Sequence, residues 1–252
     1  MVKKPNINIP TIAVIRVIVF LFLGLILFVG YTKAQDLVLR NDLFAVHDVY
    51  VERSIEFIDR SQLIALKGKN IFTVDLVKMH RRIKNQYPQI AQLHIVKELP
   101  DHIKILAKKR DPVFAFVLKG KYLLVDQGAV AMYYVDKPGD LPIVYGNAGT
   151  SMKVRLGTNM KAASIMDALT IINAFKAHPH IARFKLLTID LSNVSRYTIS
   201  CAGGFKVLLD KENYAAKLAM LEMLLAQRKI DFNTAKYVDL RFNEPVLGEN
   251  IP

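Results

Sequence analysis

Residues 12–31 read IAVIRVIVFLFLGLILFVGY, and they form the longest apolar segment of the chain. About 20 residues span about 30 Å as an α-helix, which matches the hydrocarbon thickness of a bilayer. Arg16 is the single charge in this segment, and its position near the start lets the guanidinium extend to the interface. We therefore predict a single-pass transmembrane helix over residues 12–31.

The charges on either side of this segment predict its orientation. Lys3 and Lys4 precede it, whereas Lys33 and Arg40 follow it and are partly offset by Asp36. The positive-inside rule then favours a cytoplasmic N-terminus, with the bulk of the chain periplasmic or extracellular.

Two other interpretations of the apolar segment remain open, a cleaved signal peptide and a buried core helix. Thr32 and Ala34 are small enough for a weak cleavage site. However, the segment exceeds the roughly 7–15 apolar residues of a signal peptide. Its hydrophobicity on all sides, at the extreme N-terminus, also disfavours a core helix. A membrane helix is the favoured interpretation.

The composition limits the partners. The chain has 252 residues, 52% of them hydrophobic, and a net charge of +13. A basic surface suits nucleic acid, anionic lipid or an acidic protein. The sequence has no zinc-finger spacing, basic leucine zipper or RNA-binding aromatic motif, so we predict no nucleic-acid partner. Cys201 is the only cysteine and cannot form an internal disulfide.

Residues 44–110 follow the order β-α-α-β-β. Alternating apolar residues predict strands over residues 46–51, 93–97 and 103–105. Asp59 or Ser61 can cap a short helix that runs through Leu66. A second helix begins near Thr73 and ends before Pro88. This second helix has one apolar face, formed by Leu76, Met79, His80 and Ile83.

Residues 111–248 are richer in strands. Phe114, Phe116 and Leu118 alternate in the first strand of a meander. A helix is predicted over residues 159–177, and Asp210 is placed to cap a second helix. Each helix has one apolar stripe, formed by Ile165, Leu169, Ile172 and Phe175 in the first and Tyr214, Leu218, Leu221 and Leu225 in the second. For the stripe of the second helix, core packing is the usual meaning, although a seam for a partner helix is the alternative.

The sequence contains no recognisable catalytic constellation. None of its six histidines has the His-Glu-x-x-His spacing, and no serine lies in Gly-x-Ser-x-Gly. His178 and His180 flank Pro179 in a loop, where solvated side chains are commoner than a metal site. Cys201, within an apolar strand, is expected to be a core residue. We predict that the protein is not an enzyme and uses no cofactor, metal or small-molecule substrate.

Several short motifs carry a family resemblance because they occur in a fixed order. They are residues 68–75 (GKNIFTVD), 97–105 (KELPDHIKI), the Arg110-Asp111-Pro112 boundary, 124–128 (LVDQG), 141–146 (LPIVYG) and 236–242 (KYVDLRF). Together with the apolar helix they resemble the FtsQ/DivIB bacterial cell-division family, over nearly the whole chain. Lys108-Lys109-Arg110 has lysine where the family's boundary motif usually has glutamate.

This resemblance implies an α+β protein with a transmembrane helix, a POTRA-like domain and a mainly antiparallel β-domain with two helices. The expected divisions are a cytoplasmic tail (1–11), the transmembrane helix (12–31), a juxtamembrane linker (32–43), the POTRA-like domain (44–110), the β-domain (111–248) and a tail (249–252). The resemblance also implies enrichment at the division septum of the bacterial cytoplasmic membrane.

The resemblance further implies a scaffold that binds FtsB/DivIC- and FtsL-type coiled-coil proteins and helps control septal peptidoglycan synthesis. We expect the partner to add a β-strand to the edge of the last strand. The expected partner-binding residues are Arg196, Arg241, Phe242, Asn243, Glu244, Pro245 and Val246. The alternative function is a membrane-anchored POTRA adaptor for polypeptide transport or outer-membrane assembly.

Overall fold

A computed structural model describes residues 11–55, 57–147, 153–193, 195–227, 230 and 235–248. The tails predicted over residues 1–11 and 249–252 fall outside these ranges, apart from Thr11. The described part divides into two compact units, one with residues up to His80 and Leu93–Ala107, the other with Arg81–Gln92 and Lys108 onward. The boundaries of the predicted domains remain predictions.

Helix α1, Thr11–Arg40, contains the predicted transmembrane segment and continues through most of the predicted linker. Within it, Ile18–Arg40 is long and apolar enough to cross a membrane, and its hydropathy averages 1.8. The exposed carbonyls at the C-terminal end of α1 have a specific donor, because the Asn70 amide nitrogen donates to Val38 and Leu39 at 2.9 and 3.0 Å. The Asn70 amide oxygen accepts the Phe72 N–H. One motif residue therefore caps both the membrane helix and a local turn.

The first sheet has the order β1-β3-β2, with β1 at Asp48–Val51, β2 at Ile90–Glu98 and β3 at His102–Lys109. Helices α2, Ser61–Ile64, and α3, Leu76–Gln86, lie between β1 and β2 in sequence. The predicted β-α-α-β-β order is confirmed. Helix α2 is shorter than predicted, because the chain turns at its C-terminal end towards Gly68, whose φ is +80°.

The second unit is built on a nine-stranded sheet with the order β12-β11-β10-β9-β8-β7-β4-β5-β6. Its strands are β4 Pro112–Leu118, β5 Lys121–Asp126, β6 Ala131–Val135, β7 Ile143–Gly146, β8 Leu186–Leu191, β9 Tyr197–Cys201, β10 Lys206–Leu209, β11 Tyr237–Asp239 and β12 Val246–Gly248. Antiparallel pairs predominate, whereas β4/β7, β7/β8 and β10/β11 are parallel. The predicted mainly antiparallel α+β architecture is confirmed.

Helices α4, Ala163–Ala177, and α5, Tyr214–Ala226, share one hydrophobic core with this sheet. The apolar stripes of both helices lie in or against that core, which confirms core packing. Phe114, Phe116 and Leu118 also point into it, as their alternation predicts. Gly146 at the end of β7 permits close packing, since a Cβ there would lie 2.8 Å from the Phe116 ring and 2.9 Å from the Ser164 Cβ.

The predicted start points of both helices are wrong. Helix α4 begins at Ala163 and not at Asn159, because Asn159 forms a β-bridge with Val130. Helix α5 has Asn213 as its N-cap, with no side-chain capping bond. Asp210 instead accepts the Glu212 N–H and pairs with Lys217.

Two of the motifs meet at a buried ion pair in the second unit. The Arg110 guanidinium donates to Asp126 and to the Pro88 carbonyl, while the Arg110 N–H donates to the Gln89 carbonyl. The other oxygen of Asp126 accepts the N–H groups of Gly128 and Val130 at 2.9 and 2.8 Å. Asp126 is therefore a fully bonded structural carboxylate and not a free acid.

Candidate partner-binding edge

The C-terminal end of the described chain forms a β-hairpin. Strand β12 pairs antiparallel with β11, and Val238 lies opposite Leu247. The motif at residues 236–242 predicts the last strand there, whereas the structure adds β12 after it. Because β11 lies between β10 and β12, it is not an edge strand. Within the described part of the chain, β12 ends the sheet.

A tightly packed cross-strand pair holds β12 in place. Tyr237 lies opposite Gly248, and a Cβ at Gly248 would overlap the buried Tyr237 ring. The Lys236 N–H donates to the Gly248 carbonyl at 2.9 Å. Because residue 248 is glycine, β12 can lie directly against the ring of Tyr237.

The turn between β11 and β12 is organised by Asp239 and Arg241. Asp239 is only 3% exposed, and it accepts the Arg241 backbone N–H and both Nε and Nη2 of its guanidinium. Burial alone would raise the pKa of Asp239, but these hydrogen bonds outweigh it and hold the pKa below its ordinary value. Hydrogen bonding to Asp239 raises the pKa of Arg241. Arg241, one of the expected partner-binding residues, is thus already bonded to Asp239 within the chain.

The predicted site residues cluster at this turn and beside it. Phe242 is 57% exposed, and the Arg241 Cζ lies 5.6 Å from its ring centroid. Asn243 and Glu244 are exposed and Pro245 is half-buried, whereas Val246 lies within β12 itself. Leu247, which the predicted set omits, is also exposed on this strand. Phe242, Val246 and Leu247 are thus exposed apolar side chains of the hairpin, and Val246 and Leu247 lie on opposite faces of β12 because side chains alternate along a strand.

Arg196 is brought to the same end of the sheet by strand register. It directly precedes β9, whose Tyr197 lies opposite Leu209 of β10. Strand β10 pairs in parallel with β11, so that Leu208 lies opposite Asp239. The exposed Arg196 and the β11–β12 turn therefore lie at one end of neighbouring strands, with β10 between them.

The polar groups considered for chemistry have structural surroundings. Cys201 is buried, and burial raises its pKa to about 12, which confirms it as a core residue. His180 is not simply solvated, because its Nδ1 lies 2.6 Å from Glu222 Oε1. Within the described residues, no group of three His, Cys, Asp or Glu side chains is placed to hold a metal ion.

These features define a class of protein: an α+β protein with an N-terminal membrane helix, a POTRA-like unit and a β-domain with an exposed edge strand. The family described as "Cell division protein FtsQ/DivIB, C-terminal" matches residues 115–241. The chain belongs to the FtsQ/DivIB family of bacterial cell-division proteins. The apolar helix makes it a bitopic membrane protein of that family.

The known proteins that are similar to the chain include a sequence relative and a solved structure. The cell division protein FtsQ of Syntrophotalea carbinolica is 26% identical over 233 residues, which cover 89% of this chain and 80% of that relative. The second is the structure of the major extracytoplasmic domain of the trans isomer of DivIB from Geobacillus stearothermophilus. It aligns with a TM-score of 0.32 and 10% identity, covering 49% of this chain and 99% of that domain.

Proposed function

We propose that the protein is a bitopic scaffold of the division machinery that binds FtsB/DivIC- and FtsL-type coiled-coil partners and helps control septal peptidoglycan synthesis. Its N-terminus is cytoplasmic, its larger part is periplasmic or extracellular, and it is enriched at the septum. The supporting observation is the edge strand β12, with exposed apolar side chains on it and beside it.

Strand addition suits this edge for two reasons. An edge strand presents backbone donors and acceptors along its outer side, and an extended peptide supplies their missing partners. Phe242, Val246 and Leu247 offer apolar contacts that a backbone ladder alone does not provide. Because Pro245 has no N–H to donate, backbone hydrogen bonding to a partner strand begins at Val246.

The two arginines have different parts in this proposal. Arg241 is bonded to Asp239, so it shapes the turn and supports the Phe242 ring. Arg196 lies at the same end of the sheet and is exposed, which suits contact with acidic partner residues. Asn243 and Glu244 form the polar rim of the surface.

A scaffold role without catalysis is part of the proposal. The buried thiol of Cys201 has a raised pKa, and Asp126 is bonded to Arg110 and two N–H groups. Neither group is available as a nucleophile or a general base. Activity of the purified chain on cell-wall fragments would contradict this part.

The test is binding of the full chain in lipid nanodiscs to the extracytoplasmic segments of the coiled-coil partners. Wild type is compared with Phe242→Ala and Leu247→Glu, and Met223→Glu on an exposed part of α5 is the matched control. We expect affinity to fall at least about tenfold in the two hairpin variants and to stay unchanged in the control. Arg241→Glu is unsuitable, because it places a second carboxylate beside buried Asp239.

Absence of wild-type binding would reject the scaffold proposal and favour the transport adaptor. Wild-type binding that survives both hairpin variants would retain the partners but reject β12 as their site.

A further inference from the structure

The outer side of strand β1 opens into a groove that the proposed function does not use. Among the described residues, β1 pairs with β3 alone and is an edge of the three-stranded sheet. Helix α2 forms the opposite wall. The groove has a volume of about 490 Å³, and its walls include Tyr50, Leu63 and Ile64.

Among the described residues, no strand pairs with the side of β1 that faces this groove. The Glu52 N–H donates to the Ile105 carbonyl of β3 at 3.1 Å. Alternate residues of a strand in a parallel ladder direct their backbone groups to the same neighbour, so Tyr50 also faces β3. Val49 and Val51 alternate with these residues, so their N–H and C=O groups are directed away from β3 and into the groove.

One cation of the groove already pairs with a carboxylate from the chain itself. The Asp48 carboxylate lies 3.1 Å from the Lys67 ammonium. Hydrogen bonding from Lys67 is the main reason that the pKa of Asp48 is lowered. This pair shows which chemistry the groove accepts, namely a negatively charged oxygen beside a lysine.

The charges around the groove are mainly positive. Of its described lining residues, Arg53, Arg60 and Lys67 are basic and Asp48 alone is acidic. The three basic residues are exposed, and so are the apolar side chains of Tyr50 and Ile64. Exposed cations beside an unpaired strand edge favour an acidic, extended peptide over a neutral or basic one.

We propose that the β1 groove is a second docking site, which takes an acidic, extended segment of a partner protein by strand addition. The backbone of that segment pairs with Val49 and Val51, and one of its carboxylates takes the place of Asp48 beside Lys67. The site involves neither β12 nor Phe242, so it stands independently of the proposed binding to coiled-coil proteins.

The probe is a blocked heptapeptide, Thr-Glu-Val-Glu-Val-Glu-Thr, carrying a fluorophore. Its binding to the full chain in phosphatidylcholine nanodiscs is measured by fluorescence anisotropy. Two matched peptides serve as controls: one has lysine in place of every glutamate, and the other is N-methylated at both valines. We expect both controls to bind at least about tenfold more weakly, since the first reverses the charge and the second blocks the backbone ladder.

Four variants of the chain test the residues. Val51→Pro removes an outward N–H but leaves the ladder with β3, and the double change Arg60→Glu with Lys67→Glu reverses the charge of the wall. Both should weaken binding at least about tenfold. Asp48→Asn weakens the internal competitor and should tighten binding by about threefold. Lys78→Glu, on the exposed surface of α3, is the charge control and should have no effect.

Equal binding of the lysine peptide or of the N-methylated peptide would overturn the proposal, as would wild-type affinity in Val51→Pro. Weaker binding by Asp48→Asn would also overturn it, since Asp48 would then assist the peptide and not compete with it. Circular dichroism establishes that each variant is folded. Phe242→Ala should bind the peptide like wild type, so failure at this groove and failure at β12 are distinguishable.

Discussion

Asp126 shows how one buried carboxylate joins two separate sequence motifs. Its partners are Arg110 and the N–H groups of Gly128 and Val130, and it is 7% exposed. Asp126→Ala leaves the Arg110 guanidinium buried without its counter-charge, and we expect the unfolding free energy to fall by about 3 kcal/mol. Urea unfolding of residues 36–252 measures this loss. Asp140→Ala is the control, because it removes only the exposed ion pair with Lys185 and should leave the unfolding free energy unchanged. Equal stability of the two variants would contradict the prediction.

Cys201 provides an internal probe of folding at the residue scale. Because burial raises its pKa to about 12, the thiolate that reacts with maleimides or disulfide reagents is scarce at pH 8. We expect no labelling of the folded chain over the time in which a free cysteine reacts completely, and full labelling in urea. The control is Cys201→Ser with Ser192→Cys, which places a thiol in an exposed turn. Rapid labelling of folded wild type would show that β9 opens or is not buried.

Elements with strong periodicity could be predicted from sequence, whereas elements made by tertiary contacts could not. The alternation of Phe114, Phe116 and Leu118 predicts β4, because each faces the same core. Strand β12 has only three residues, which is too few to show a periodic pattern, and it forms because it pairs with β11. The internal bond from Arg241 to Asp239 escaped prediction for a similar reason. The motif at residues 236–242 contains both Asp239 and Arg241. The turn that brings their side chains into contact, however, depends on the pairing of β11 with β10 and β12.

Strand β12 should be sensitive to any side chain at residue 248. Gly248→Ala forces the buried Tyr237 ring or the strand to move, so we expect β12 to loosen and the proposed partner to bind at least about tenfold more weakly. Hydrogen–deuterium exchange of the C-terminal peptide should become faster, while exchange in β8 and β9 stays unchanged. Val246→Ala lies in the same strand without the clash and should exchange like wild type. Unchanged exchange in Gly248→Ala would show that the Tyr237 ring moves without cost.

The contact between α5 and the segment that follows α4 should depend on pH, because Glu222 of α5 makes it through its carboxylate. Burial raises its pKa, but hydrogen bonds from the His180 side chain and from the N–H groups of His180 and Ile181 outweigh this and lower it. Its charged form therefore stabilises the fold above the ordinary carboxyl pKa, and this contribution is lost as pH falls through the lowered pKa. We expect the stability advantage of wild type over Glu222→Gln to be constant above about pH 5 and to shrink below about pH 4. Urea unfolding at several pH values measures it, and exposed Glu212→Gln should show no such trend.

At the scale of the whole molecule, the chain has two possible ways to associate with a membrane: an apolar helix and a net charge of +13. They differ in their response to salt, because screening removes electrostatic attraction between exposed charges but leaves hydrophobic insertion intact. A fragment of residues 36–252 lacks Lys3, Lys4, Arg16 and Lys33 but keeps the remaining basic residues. It therefore retains most of the charge without the transmembrane segment.

We expect the full chain to stay with anionic lipid vesicles in about 1 M salt, whereas the fragment binds only at low salt and dissociates. Vesicle flotation measures both. Replacing anionic lipid with phosphatidylcholine should abolish binding of the fragment and leave the full chain bound. Release of the full chain by salt would mean that α1 lies on the surface instead of crossing the bilayer. Both proposed docking sites would then lose the transmembrane attachment that the proposed bitopic scaffold requires.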